Sequence, residues 1–312
     1  MAAYFLRRLW QMIPTLAGVI LLLFTLFTLV AGDPAQILAG KMPNPARIAA
    51  IRAQLGLDEP LWVQLWLFVK QVVTLDFGRS WSTNEPVIAM LANRIPVSLT
   101  IMLPVWLFDA LIAVALALMV ARVRGSLTDR ALMTICTVSM SVSLLLYAVI
   151  GQYLLAYRFE WFPVMGWGEG LSDNLGRYAQ LPILLILAVS TAFSLRLYRS
   201  FIIEELGRDY VRTARAKGAG EGRVLLVHVL RNAAIPIATN LAMAIPGLVV
   251  GSFIIEQVFA IPGVGREIIT AVDRSDFPVI KAVTILLALL TMAANLLVDL
   301  LYHWLDPRVE FK

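Results

Sequence analysis

The chain has 312 residues, of which 60% are hydrophobic and 15% charged, and a mean hydropathy of +0.80; a soluble domain carries about 25% charged and about 45–50% apolar residues. This excludes a soluble globular protein, and the recurrence of long apolar runs indicates an all-α polytopic membrane protein. One cysteine, Cys136, rules out an intrachain disulfide, His228 and His303 lack partners at metal-ligand spacing, and the net charge of +5 has meaning only once each charge is placed on a side of the bilayer.

Six apolar segments reach the roughly 20 residues needed to cross about 30 Å of hydrocarbon as a helix. The first, Leu9 to Ala31, follows Arg7 and Arg8 and is longer than a signal-peptide core, so it reads as an uncleaved anchor. The stretch Gly32 to Ile95 alternates Pro and Gly breaks with short amphipathic pieces and reads as an external helical segment between spans 1 and 2. Span 2, Pro96 to Ala121, carries Asp109 near its middle, where a charge costs several kcal/mol unless it faces protein or water. Asp109 is thus either a pathway residue or a structural partner for a polar group elsewhere in the bundle.

Span 3, Ala131 to Tyr157, holds Thr134, Thr137, Ser139, Ser141 and Ser143, and span 4, Leu181 to Ile202, holds Ser190, Thr191 and Ser194. Such hydroxyls, with Ser139, Ser143 and Ser194 as the candidates, either line a polar path or pack helices together. Span 5, Ile235 to Ile255, contains Gly247 and Gly251 as GxxxG, a spacing that favours close helix contact. Span 6, Val279 to Trp304, has Asp299 about one turn from its inner end, within snorkelling reach of water. With the N-terminus inside, Lys and Arg number 15 on the inner side and 11 on the outer, which places both termini in the cytoplasm. The domain reading is residues 1–95 as first helix plus periplasmic segment, 96–305 as a five-helix core with a cytoplasmic loop at 203–234, and 306–312 as a cytoplasmic tail.

The loop between spans 4 and 5 is the most informative segment. Asp209 suits a helix start and Gly218 the left-handed residue past its end. Between them Arg208, Arg212 and Arg215 share one side and Val211 and Ala214 another, giving a short helix with a basic stripe. From charge alone, such a stripe either enforces topology, meets anionic lipid, or meets a protein partner.

The stretch DYVRTARAKGAGEGRVLLVHVLRNAAIP, Asp209 to Pro236, closely resembles the coupling-loop signature of binding-protein-dependent ABC importer permeases of the oligopeptide, dipeptide and nickel branch. Arg212, Thr213 and Ala214 followed by Gly218 stand where the wider family has Glu-Ala-Ala, three residues, then Gly. The missing Glu, and Arg231-Asn232 in place of Leu-Pro, are departures that resemble those of the peptide branch. RRLWQMIPTLAGVILLLF, AGDPA, LGLDEPLWVQ, DFGRSW, GSFIIEQVFAIPGVGREI and NLLVDLLYHWLDPRV extend the resemblance over nearly the whole chain.

The resemblance implies a type I importer permease with a MetI-like transmembrane domain, half of a channel for short peptides. It implies that Arg208, Asp209, Tyr210, Arg212, Thr213, Ala214, Arg215, Lys217 and Gly218 form a coupling helix docking on an ATPase, and that Glu256, Pro262, Gly263 and Gly265 belong to a periplasmic gate or binding-protein contact. The implied partners are a second homologous permease, two cytoplasmic ATPase subunits, a periplasmic or lipid-anchored substrate-binding protein and membrane lipid, with no nucleic acid. ATP and Mg2+ would sit in the ATPases, because this chain has no GxxxxGK[ST]: Gly40-Lys41 is followed by Met42 and lacks the upstream glycine. The rivals are the same architecture carrying nickel or another non-peptide ligand, a secondary transporter driven by an ion gradient through Asp109, and last a membrane enzyme, for which no nucleophile–base pair or metal cluster is found.

Overall fold

The computed structural model describes residues 2–30, 33–39 and 44–305; the tail expected at 306–312 lies outside the described residues, as does Ala31 at the end of the first expected span. Every regular element among the described residues is helical. Five helical stretches are long and apolar enough to cross a membrane: Trp10–Thr28, Val87–Arg122, Gln180–Leu206, Glu221–Val258 and Phe277–Leu301. A bent pair, counted as one broken span, makes six. The chain packs as two compact units, residues 1–94 with 267–293 and residues 95–266 with 294–312.

In the first unit, α1 (Ala2–Thr25) continues through a wider turn at Leu26–Val30, followed by α2 (Pro34–Ala39), α3 (Pro45–Leu55) and α4 (Leu61–Thr74). Asn44 caps α3 by accepting from the Ala46 N–H, and Gly56 closes it at φ 67°. Arg52, in the last turn of α3, bridges Asp33 ahead of α2 at 2.5 Å and Asp58 beyond α3 at 2.9 Å. Helix α4 is apolar on two sides: Phe68 and Val72 are buried, whereas Trp62 and Trp66 remain exposed. Asp276 is buried just ahead of the last helix and gathers the 80–82 turn, accepting from the Ser80 and Ser82 hydroxyls and from the Trp81 and Ser82 N–H groups.

The second unit is built on α5 (Val87–Arg122), α6 (Leu127–Ser141), α7 (Leu144–Gly151, extended by a wider turn at Gln152–Arg158), the one-turn α8 (Leu171–Asp173) and α9 (Gln180–Leu206). It continues through α10 (Asp209–Ala216), the one-turn α11 (Glu221–Arg223) with a wide-turn stretch Val224–Val229, α12 (Leu230–Met243), α13 (Ile245–Val250) and α14 (Phe253–Val258). The last two helices of the chain, α15 (Val264–Asp273) and α16 (Phe277–Leu305), belong to both units, residues 267–293 being counted with the first. Expected span 3 is not straight: α6 and α7 meet at 90°. Ser143 starts α7 as its cap, its Oγ accepting from the Leu146 N–H, so a serine that reads as one hydroxyl among many in an apolar run marks the break.

Expected span 5 also departs from a straight helix. Gly251 adopts φ 76° and ψ −168°, which ends α13 and turns the chain into α14. The GxxxG expectation divides: Gly247 has no atom within 4 Å of where a Cβ would sit, whereas Gly251 is a turn residue that also lies close against Ser98 of α5.

Candidate functional site

Residues 203–234 form a tightly held hairpin of short helices. Arg208 is extended (φ −74°, ψ 152°) and precedes α10 without a side-chain cap; Gly218 at φ 81° ends the segment, its N–H donating to the Arg215 carbonyl and that of Ala219 to Ala214. Val211 is fully buried and Ala214 nearly so, in a cluster with Ala117 and Ala121 of α5, Tyr198 and Ile202 of α9, Val224 and Val229, and Ala233 of α12. The short helix is thus a part of the core, with Arg212 and Asp209 displayed on its outer face.

The expected basic stripe is corrected in its electrostatics, because each arginine has an acid beside it. Arg208 pairs with Glu204 at 2.8 Å, Arg212 with Asp209 at 3.2 Å, and Arg215 makes a two-pronged contact with Glu221 at 2.7 and 3.1 Å. The carboxylate of Glu221 holds the Arg215 guanidinium above its ordinary pKa. Tyr210 donates to Glu205 at 2.5 Å. A cavity of about 380 Å³ lies beside the helix, lined by Tyr210, Thr213, Lys217, Gly218, Arg223 and His228 among others.

Burial, then the bond to Glu205, pushes the Tyr210 phenol up to about 12 from 10.0. A neutral phenol favoured by the fold contributes stability that is complete below the unfolded pKa and is lost as pH rises through the folded one. Thermal melting of the purified chain is therefore expected to fall faster above pH of about 10 for wild type than for Tyr210→Phe, which has no proton to lose. Parallel curves for the two proteins would mean that the Tyr210–Glu205 bond does not hold the hairpin.

A second constellation surrounds Glu256, which is 1% exposed. Its Oε1 accepts from the Ser98 hydroxyl at 2.8 Å and its Oε2 from the Arg266 N–H at 3.0 Å; Ser98 Oγ in turn accepts from the Val264 N–H at 2.9 Å. The acid thus sits at the first turn of α15, where free N–H groups favour an anion. Three glycines make room for it: a Cβ would lie 2.0 Å from Glu256 Oε1 at Gly251, 2.4 Å from Oε2 at Gly263, and 2.9 Å from the Phe253 nitrogen at Gly265. Pro262 lies in the same loop, between Ile261, which is fully buried, and Gly263.

The intramembrane candidates divide. Ser194 donates to Asp109 Oδ2 at 2.7 Å and both are buried, tying α5 to α9; Asp109 Oδ1 and the Ser190 hydroxyl one turn away are buried with no protein partner. Ser139 accepts from the Tyr147 hydroxyl at 2.9 Å and donates to the Ala188 carbonyl, whereas Ser143 is the α7 cap. Neither bonds to the Asp109–Ser194 pair. Tyr198 donates to Asn240 at 3.0 Å, adding a polar bridge from α9 to α12.

Residues 113–311 match the family described as binding-protein-dependent transport system inner membrane component, and residues 1–102 match the family's N-terminal membrane component. The chain belongs to this family of importer permeases. It is 36% identical over 312 residues to the glutathione transport system permease protein GsiC of Salmonella choleraesuis, covering 100% of both chains. It is 34% identical over 313 residues to a peptide transport system permease protein of Brucella abortus (strain 2308), again over 100% of each.

In this multi-pass inner-membrane permease, sequence reasoning reached Glu256, Gly263 and Gly265 but not Ser98, which lies 158 residues from its acid and looks like any hydroxyl in span 2. Gly251 is visible in the sequence through its spacing, which does not show that its φ is positive. The permease also carries a bidentate pair that no local pattern marks: Arg199 of α9 donates to both oxygens of buried Asp129 at 2.8 and 2.7 Å, while the Gly125 N–H adds a third bond at 2.8 Å.

Proposed function

We propose that this permease forms half of the membrane channel of an ATP-driven importer of short peptides, with both termini and the α10 hairpin in the cytoplasm and the 33–86 segment outside. The observation that carries the reading is α10 itself: a short helix outside the candidate spans, displaying Arg212 while Val211 and Ala214 lock it to α5, α9 and α12. Such an element moves the bundle when it is moved. ATP and Mg2+ then belong to two separate ATPase subunits docking at Arg208 to Gly218, and cargo arrives from a substrate-binding protein. A second, homologous permease supplies the other half of the channel.

Peptide cargo is supported by the relatives named for peptide and glutathione transport. In the same reading, Glu256 with Pro262, Gly263 and Gly265 shapes an external gate as a buried brace, leaving any contact with a binding protein to the surface around it. Asp109 and Ser194 face each other across two spans and form the polar part of the pathway wall; Ser139 and Ser143 hold helix geometry.

The test is a detergent pull-down of the tagged chain from its native cells, comparing wild type with Arg212→Glu/Arg215→Glu/Gly218→Asp. The expected result is that ATPases and a second permease accompany wild type, and that the ATPases alone are lost from the variant. Uptake of labelled di- and tripeptides by the same cells should stop with it. Wild type purified without an ATPase, with uptake that collapses with the ion gradient, would replace this reading by a secondary transporter.

A further inference from the structure

The first unit contains a cavity of about 1150 Å³ that the transport reading does not use. Its wall combines the end of the first span (Phe24, Phe27, Thr28), one side of α4 (Phe68, Lys70, Gln71), the 76–81 turn and the start of α16 (Phe277, Lys281); the acids Asp33, Glu59 and Asp76 are outnumbered there by Arg52, Lys70, Arg79 and Lys281. Small-molecule pockets run to about 300–1,000 Å³, so this one has room for a larger ligand.

Lys281 gives the cavity its chemistry. An ammonium has three donors. Lys281 hydrogen-bonds to Gln71 Oε1 and lies 5.0 Å from the centre of the Phe68 ring; among the described residues no carboxylate is within ion-pair distance of it, and the acid whose charge reaches it is Asp76 on the same wall. By contrast Arg52, on the same wall, is matched by Asp33 and Asp58. A lysine inside a spanning helix whose nearest acid is not in contact keeps donors that are costly to leave unmet, and an anion or water can fill them.

The surroundings say which anion. Phe24 packs edge-on against Phe68 at 6.0 Å, Phe27 against Phe277 at 5.2 Å, and Trp81 against Phe277 at 5.3 Å, so an apolar aromatic wall adjoins the cation. The cavity is placed where two spans end and a polar turn begins. Helix α4 exposes Trp62 and Trp66 on its other side, the amphipathic aromatics that settle at the headgroup level of a bilayer.

We propose that this cavity is a binding site for one anionic phospholipid, its phosphate against the Lys281 ammonium with Lys70 nearby and an acyl chain along Phe24, Phe27 and Phe68. A free phosphate would satisfy the ammonium but leave the aromatic wall unfilled, and a cargo peptide would not select for acyl chains. The site is independent of cargo and ATPases.

The experiment is native mass spectrometry of the detergent-purified chain, with whatever subunits accompany it, after incubation with phosphatidylglycerol or phosphatidylcholine of equal chain length. Wild type is expected to keep one phosphatidylglycerol in preference to phosphatidylcholine by about tenfold or more, the equivalent of about 1.4 kcal/mol. Lys281→Met should lose that preference, and Lys281→Arg should retain it, which separates a lost site from a misfolded chain. Gln71→Leu, which leaves the charge but removes its tether, should lie between them. Equal retention of the two lipids by wild type, or unchanged preference in Lys281→Met, would overturn the assignment. So would displacement of the lipid by inorganic phosphate or by a tripeptide at millimolar concentration.

Discussion

Gly251→Ala is expected to be among the most damaging single substitutions in the chain, lowering the stability of the second unit by about 3 kcal/mol or more and abolishing uptake. Two costs combine. The backbone at φ 76° and ψ −168° is a conformation open essentially to glycine alone, and holding another residue there costs about 1–3 kcal/mol. The new methyl would also lie 2.0 Å from Glu256 Oε1 and 2.8 Å from Ser98 Oγ, so the buried acid must leave its donors. Burying an acceptor that has lost its partners costs about 1–3 kcal/mol, more when it is charged. Thermal melting in detergent, followed by size-exclusion profile, measures the first effect, and peptide uptake in whole cells the second. Melting and uptake at wild-type levels would show that the glycines do not cradle Glu256. Glu256→Gln, which keeps the shape but turns an amide nitrogen toward an N–H donor, should fall between wild type and Glu256→Ala.

The second large effect is expected at Arg199→Met, which leaves the buried Asp129 carboxylate with the Gly125 N–H and the charge of Arg124, but without its bidentate partner. Removing one member of a buried pair typically costs about 3–5 kcal/mol, because the remaining charge is uncompensated. Asp129→Asn should cost less than Arg199→Met, since Arg199 retains some exposure and can turn toward water. The double substitution Asp129→Asn/Arg199→Met is then expected to be more stable than Arg199→Met alone, a coupling visible in a double-mutant cycle of melting temperatures. If the four proteins give additive changes, the pair does not act as one unit.

What could be read in the sequence was what local periodicity encodes. Apolar runs gave the spans, and Asp209 with Gly218 bracketed α10, because these signals lie within one turn of the residues they govern. The 90° break between α6 and α7 was hidden because Val142 and Ser143 sit in an unbroken apolar stretch and the cap acts only when the chain turns. At Gly251 the GxxxG spacing encodes the close approach to a helix but not the φ of 76°. Ser98, Asp129 and Lys281 were invisible as a class: each has its partner more than 60 residues away, and only folding joins them. The arginines of the loop are legible from their spacing, but the acids that answer them come partly from the flanking α9 and α11, outside the helix that the spacing describes.

The two corners of the α10 hairpin have a mechanical consequence. Eight helical residues span about 12 Å, and both joints of this short bar are braced. At the first corner Tyr210 reaches back to Glu205 and Arg208 to Glu204; at the second Arg215 reaches forward to Glu221. These bonds work as light gussets, because each exposed ion pair contributes only weakly to the shape of its joint. The side of α10 opposite Arg212 is held by packing: Val211 is seated among α5, α9 and α12, so the bar is joined to the bundle along its length as well as at its corners.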